Sequence, residues 1–474
     1  MSRLAEVKRY LVEEPPAYCR RPKAVVQPIL AKKGVSTLDL KRFAECVADC
    51  AKVEPVIVVQ SPEHWGKAVR GLGEEIDCIL PMSIPAYPTE VWNSHPQPLV
   101  ERGLPVIFWP LMKYDEPDFW RWSARDFLRA LGIDVYIARN TAHGITLLKS
   151  LAMKRFLRGS RVVTFGEQNF PWNANAAGHL FRESLGIEIM VRPISDIRQR
   201  YEKFSDAEVS ELWKRRKARY VEKGVKPEEL RQAIRTYLAI KSILGEEKAC
   251  AFGLNCFGDL IIKEGRDTPC LAQKLLREDG YVAACDGDFC AITSMLLLTY
   301  LLDKTCMMSN MYPVQYIGAL TDHFGDALSP NAKKYPKKTW KNLARLAHCG
   351  FVGVVSPEMT KGGKAALRDW GGTYEIKRDG LGCGIDADLA GGEKVTVAEM
   401  CFDAKTLLLA DAKVLETTHH KNMPHCETSA LLEFRDLPGF VENISREHTA
   451  VVYGSHIEEL KTLADILNLR TKIF

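Results

Sequence analysis

The residues best suited to chemistry stand at the ends of apolar runs. Ala249–Leu254 ends in Asn255–Cys256, and Tyr281–Cys285 ends in Asp286–Gly287–Asp288. Both runs have the content of buried strands. In open α/β sheets, groups at the carboxyl ends of strands face the crevice where ligands bind. Asp286 and Asp288 offer hard oxygen donors of the kind that hold a divalent cation. A plainer reading makes them the loop and N-cap of the apolar helix predicted over Cys290–Leu302, since Asp is a favoured cap residue. Asn255 can ligate through its carbonyl but takes no proton at neutral pH. Cys256 acts only as a thiolate. His348 lies between a predicted helical segment and a predicted strand, and His448 opens an apolar strand. Neutral imidazole is a common metal ligand, although a lone histidine is more often a structural hydrogen-bonder. His419, His420 and His425 sit in a mixed, loop-like segment and rank lower.

The elements that must position these residues follow a pattern. A helix is predicted over Thr37–Lys52. Val56–Gln60 reads as a buried parallel strand, and Asp77–Pro81, Leu104–Pro110 and Asp134–Arg139 read as further strands separated by helices. Alternation of this kind implies a doubly wound sheet. A second α/β unit begins at Ser160–Phe165, continues through a helix over Asn173–Ser184 and a strand over Ile187–Ile194, and includes a long charged helical stretch, Ser205–Glu246. Gly166 stands in a β-α turn, but no G-x-G-x-x-G surrounds it, which argues against a dinucleotide. From about Met311 the runs become short and Gly-rich turns frequent: 350–355, 372–376, Lys394–Phe402 and Lys405–Val414. The expected organisation is an N-terminal α/β domain (1–155), a central α/β domain carrying the acidic motif (156–310), and a β-rich C-terminal domain with a terminal helix near Ile457–Leu467 (311–474).

Composition narrows the class. With 474 residues, 46% hydrophobic content and a net charge of +5, the chain reads as an ordinary globular protein. The basic clusters Trp213–Arg219 and Lys333–Lys338 are dispersed, so nucleic acid is not an expected partner. The N-terminus lacks the apolar core of a secretory signal, and no window is long enough to span a membrane. The 14 cysteines include no C-x-x-C pair, and several lie on apolar runs as small hydrophobes. A reduced, cytoplasmic setting is expected. The loops 81–92 and 109–122 are rich in proline and aromatics, suited equally to stacking on a sugar ring and to subunit contact.

The segments NCFGDLI, TPCLAQKLLREDGYVAACDGD, LARLAHCGF and EHTAVVYGSHIEELKTLADIL resemble the L-fucose isomerase / L-arabinose isomerase superfamily, above all its fucose-isomerase-like members. The resemblance is best over 247–303 and the last 30 residues. It implies two Rossmann-like domains followed by a β-rich domain, a homo-oligomer (trimer or hexamer), and a metal-dependent aldose–ketose isomerisation assisted by Mn2+ or a similar ion. By motif, Asp288 matches the second metal-binding acid, His448 the C-terminal histidine, and His348 an additional histidine of the arabinose branch. The first family acid falls at Asn255 or Cys256, a departure that leaves Asp286, Asp259 and Glu264 as candidates for the missing carboxylate. On this reading Asp288 and His448 hold the metal, His348 assists and contacts substrate with Asn255, and Asp286 and Cys256 are the remaining acid/base candidates. Two alternatives accompany it: a sugar-binding protein without turnover, and an enzyme for a sulfonated or phosphorylated sugar contacted by Arg139, Lys149, Lys154 and Arg158.

Overall fold

The computed structural model describes residues 13–31, 36, 38–82, 95–166, 174–256, 258, 260, 268–316, 334–348, 355, 357–369, 382–419 and 428–474. The chain forms two compact units: Arg21–Leu157 with Lys461–Leu467, and Met1–Arg20, Arg158–Leu460 and Asn468–Phe474.

The smaller unit is built on a parallel sheet of β1 (Ala24–Ala31), β2 (Ala51–Val53), β3 (Ile57–Val59), β4 (Cys78–Pro81), β5 (Val106–Phe108) and β6 (Val135–Ile137), in the order β2-β1-β4-β5-β6 with β3 also on β1. Sequence patterning misses β1 because Gln27–Pro28 interrupts its apolar run, and proline ordinarily demotes a strand to an edge. Here β2 pairs with Ala24–Val26 and β3 with Ile29–Ala31, so Pro28 falls in the gap between two short partners. The helix expected over Thr37–Lys52 covers only Leu40–Cys46, because Lys52 belongs to β2. β3 is a half-exposed edge rather than a buried strand, with Val58 40% exposed.

The larger unit joins two sheets. β7 (Arg161–Phe165), β8 (Glu188–Arg192), β10 (Ala251–Leu254) and β11 (Val282–Cys285) form a parallel sheet in the order β11-β10-β7-β8. The helical stretch expected over Ser205–Glu246 is broken by β9 (Tyr220–Lys223), which pairs with β14 (Ala365–Asp369) beside β15 (Cys383–Asp386). The second sheet runs through β16 (Lys394–Met400), β19 (His448–Tyr453), β12 (Met307–Pro313), β13 (Leu343–Ala347), β18 (Thr428–Phe434) and β17 (Thr406–His419). β17 then pairs back onto β16, closing a six-stranded antiparallel ring, and β20 (Arg470–Ile473) adds to β17 in parallel. Closure removes exposed edges. The predicted strands at 350–355 and 372–376 lie, except for Val355, outside the described residues. The fold is therefore mixed α/β, with parallel sheets followed by a β-rich C-terminal part.

The Phe289–Leu302 helix connects these sheets. It is apolar on every side and almost wholly buried, as expected of a helix enclosed on all faces. It packs against β10 and β11 and against β16 and β19. Gly253 of β10 permits the close approach, because a Cβ there would stand 2.6 Å from Ile292 Cδ1. Met400 N of β16 donates to Ser294 Oγ at 2.7 Å, tying the helix to the ring. No helix among the described residues is long and apolar enough to cross a membrane.

Candidate metal centre

Four strand ends build the site. β10 and β11 run in parallel with Leu254 opposite Cys285, so their polar ends arrive level. β11 then stops at two consecutive left-handed residues, Asp286 (φ 56°) and Gly287 (φ 63°). This conformation is costly for a residue with a Cβ, although Asp tolerates it better than most. Asp288 follows as the N-cap of the Phe289–Leu302 helix, its Oδ1 accepting from Ala291 N at 3.0 Å. From the ring, His348 follows β13 directly and His448 opens β19. The helical segment expected before His348 is mostly strand β13. β12 runs between these two strands, with Asn310 opposite Ala347 on one side and His448 on the other.

Asp286, His348 and His448 converge. Their ligand atoms all lie within 4.8 Å of one another, and all three residues are buried. Asp286 Oδ2 is 3.4 Å from His348 Nε2 and 3.4 Å from His448 Nε2. Those separations are long for hydrogen bonds. They suit two donors that each stand about 2.1 Å from one shared ion. One carboxylate oxygen and two imidazoles form a donor set appropriate to a divalent transition ion.

Each arm is held from behind. His448 Nδ1 is 2.8 Å from Asp288 Oδ2, and Arg446 Nε approaches the same oxygen at 3.4 Å. The Cys256 thiol donates to Asp286 Oδ1 at 3.7 Å. Cys285 Sγ donates to Gln273 Oε1 at 3.0 Å and interacts with both Cys256 and His348. A carboxylate on the far nitrogen of a histidine fixes its tautomer and turns the other nitrogen toward the ion.

The electrostatics are those of a compact charge cluster. Burial alone raises the Asp286 pKa, yet hydrogen bonds and charge from His348 and His448 hold it well below the usual carboxylate range. Asp288 is likewise lowered, against burial, by His448 and Arg446. Burial disfavours the charged form of His448, but the two carboxylates outweigh it and raise its pKa to about 9.

The structure brings together Asp286, His348, His448, Asp288 and Cys256. It sets Asp286, rather than Asp288, in the ligand group: the Asp288 carboxylate is spent on the helix N-terminus with one oxygen and on His448 Nδ1 with the other. Asn255 is not part of the group, and its Oδ1 accepts from Gly258 N at 3.0 Å in a local turn. His419 pairs instead with Asp388 at 2.6 Å. Asp259, Glu264, His420 and His425 lie outside the described residues. Lys149 and Lys154 belong to the smaller unit, where Lys154 faces Asp134 at 3.8 Å. Sequence reasoning overlooked Gln273, Cys285, Asn310, Glu399 and Arg446. Only Arg446 carried a local signal, two residues before His448. Asn310 Nδ2 donates to Tyr312 OH at 2.9 Å, while its buried Oδ1 has no hydrogen-bond partner among the described residues.

Residues 180–302 match the family model of the L-arabinose isomerase central domain. The matched span contains Asn255, Cys256, Asp286 and Asp288; His348 and His448 lie beyond it. The match supports an arabinose/fucose isomerase-like family and, with it, a sugar isomerase-like function. No curated protein matches the chain.

Proposed function

We propose that this chain is a metal-dependent aldose–ketose isomerase acting on a monosaccharide or modified sugar through an enediolate. The observation that carries the reading is the buried Asp286–His348–His448 group at the end of β11, next to the segment that matches an isomerase domain. Asp286, His348 and His448 would hold Mn2+ or another divalent ion, which supplies Lewis-acid stabilisation to adjacent sugar oxygens.

The chain's own residues account for the rest. Asp288 keeps the His448 proton on Nδ1, leaving Nε2 to face Asp286. Moving a proton between neighbouring carbons needs a base on the face where the sugar binds. Asp286 is assigned that task, with the Cys256 thiol exchanging a proton at its other oxygen. Asn310 Oδ1 is placed to accept from a sugar hydroxyl. The exposed aromatics Phe119 (76%) and Trp120 (72%) support a homo-oligomer, trimer or hexamer, checked by light scattering.

A second reading, a protein that binds a sugar without isomerising it, is favoured by one observation. A carboxylate held as low as Asp286 is a weak base, and general bases work best near the ambient pH. A thermal-shift screen with Mn2+ across aldoses, ketoses and their acidic derivatives separates the two, followed by NMR in D2O on every hit. Stabilisation by Mn2+, an added shift from one sugar, and ketose formation with deuterium at the exchanged carbon support the isomerase. A sugar shift with no Mn2+ shift and no turnover sinks it in favour of the binding protein.

A further inference from the structure

Glu399 stands behind the centre and has no part in the chemistry above. It lies on β16, fully buried, and its Oε1 accepts from the backbone N–H of Ser445 at 2.6 Å and of Arg446 at 3.0 Å. Its Oε2 is buried with no hydrogen-bond partner among the described residues. The turn it grips precedes β19. Arg446 leaves that turn to reach Asp288 Oδ2 at 3.4 Å, and His448, two residues on, reaches the same oxygen at 2.8 Å. A second tie to the turn comes from Phe402 N, which donates to Ser445 Oγ at 3.3 Å.

We infer that Glu399 is a positioning residue of the metal centre: by gripping the 445–446 turn it brings Arg446 and His448 together on Asp288 and so aims His448 Nε2 at Asp286. The inference rests on the metal-centre reading. Two buried N–H groups need an acceptor at this point, and one oxygen serves both. Neighbouring charges explain why the acceptor is neutral. Burial, with a contribution from Asp288, raises the Glu399 pKa to about 8 despite the two N–H donors. At neutral pH the side chain is therefore a carboxylic acid, and glutamine is its close mimic.

The test uses the full-length protein and Co2+ as the probe, read by calorimetry and by the visible absorption spectrum of the bound ion. Glu399→Leu is expected to weaken Co2+ binding by about 10- to 100-fold, the range for groups that orient metal ligands, and to change the spectrum as His448 is misaligned. Glu399→Gln should restore both. Asp403→Ala is the matched control: Asp403 grips a turn of the same ring through Lys405 N at 2.9 Å and Thr406 N at 2.8 Å. It should lower the melting temperature without changing Co2+ affinity. Wild-type affinity and spectrum in Glu399→Leu overturn the inference, as does failure of Glu399→Gln to restore them. If Glu399→Leu does not fold, Arg446→Met cuts the next link, and unchanged Co2+ binding there also overturns it. Absence of Co2+ binding in the wild type is a different result, which removes the metal-centre reading itself.

Discussion

The two ends of β11 each carry a buried aspartate, and they solve the problem of buried charge in opposite ways. Asp279, before the strand, is fully enclosed. Arg216 and Tyr237 donate to it at 2.5 Å and Lys241 at 2.6 Å. Alongside it, Glu278 takes Lys274 at 2.9 Å and Tyr220 OH at 2.9 Å. Every contact is short, and the cations are ones that keep their protons. Asp286, after the strand, faces two imidazoles at 3.4 Å and a thiol at 3.7 Å. Its partners are groups that can surrender a proton, and they stand at the spacing of a coordination shell. Buried charge alone therefore does not mark a site. A cluster saturated by Arg and Lys is structural, whereas one built from His, Asp and Cys at longer range is poised to take up an ion.

The largest effect that sharpens this contrast is expected from Asp279→Ala. It strands two buried cations and should cost about 3–5 kcal/mol of unfolding free energy, measured by urea titration. An unchanged midpoint would break the contrast. Asp286→Asn should shift the metal-free melting temperature far less, yet weaken Co2+ or Mn2+ binding by more than about 100-fold, beyond the range for outer groups. Asp288→Asn should weaken binding by about 10- to 100-fold. Asparagine remains a good helix cap, so this variant isolates the His448 contact, and wild-type affinity in it would remove Asp288 from the centre.

Changes of pH come next in size. His448 is raised from its ordinary value of 6.5 to about 9, so metal binding at neutral pH must displace its proton. Affinity should climb about tenfold per pH unit up to that value, with proton release seen as a buffer-dependent heat in calorimetry. For the metal-free protein the sign is opposite. The stabilisation from charged His448 is complete below pH 6.5 and is lost as pH rises through about 9. The melting temperature of the metal-free protein should therefore fall over that interval, and that of the metal-loaded protein should not follow it. The smallest effect is expected from Asn255→Ala, about 1 kcal/mol for one lost turn hydrogen bond, with no change in metal affinity. A large loss of affinity there would restore Asn255 to the site.

Much of this was legible without coordinates. Apolar runs marked β10 and β11, their abrupt polar ends marked Asp286 and Asp288, and the start of an apolar run marked His448. The ranking of the two aspartates was not legible. It depends on a left-handed turn at Asp286–Gly287, and only Gly287 hinted at one. β1 was hidden by Pro28, whose tolerance depends on where two other strands happen to end. Gln273, Cys285 and Glu399 look like ordinary members of a helix or strand, because their roles come from what lies opposite them.

The amino-acid sequence by itself determined the alternation of strand and helix, the apolar helix that must be enclosed, and the residue types capable of holding an ion. These are local properties, written in periodicity and in the donor chemistry of each side chain. Only the tertiary structure decided which of those residues meet. His348 and His448 reach Asp286 because β13 and β19 flank β12 in a closed ring, packed through one helix onto the parallel sheet that carries β11. That convergence joins positions more than 150 residues apart, as the contact between Asp288 and His448 shows. No local pattern encodes it, because it is set by the packing of whole sheets, and the division of labour between Asp286 and Asp288 follows from that packing.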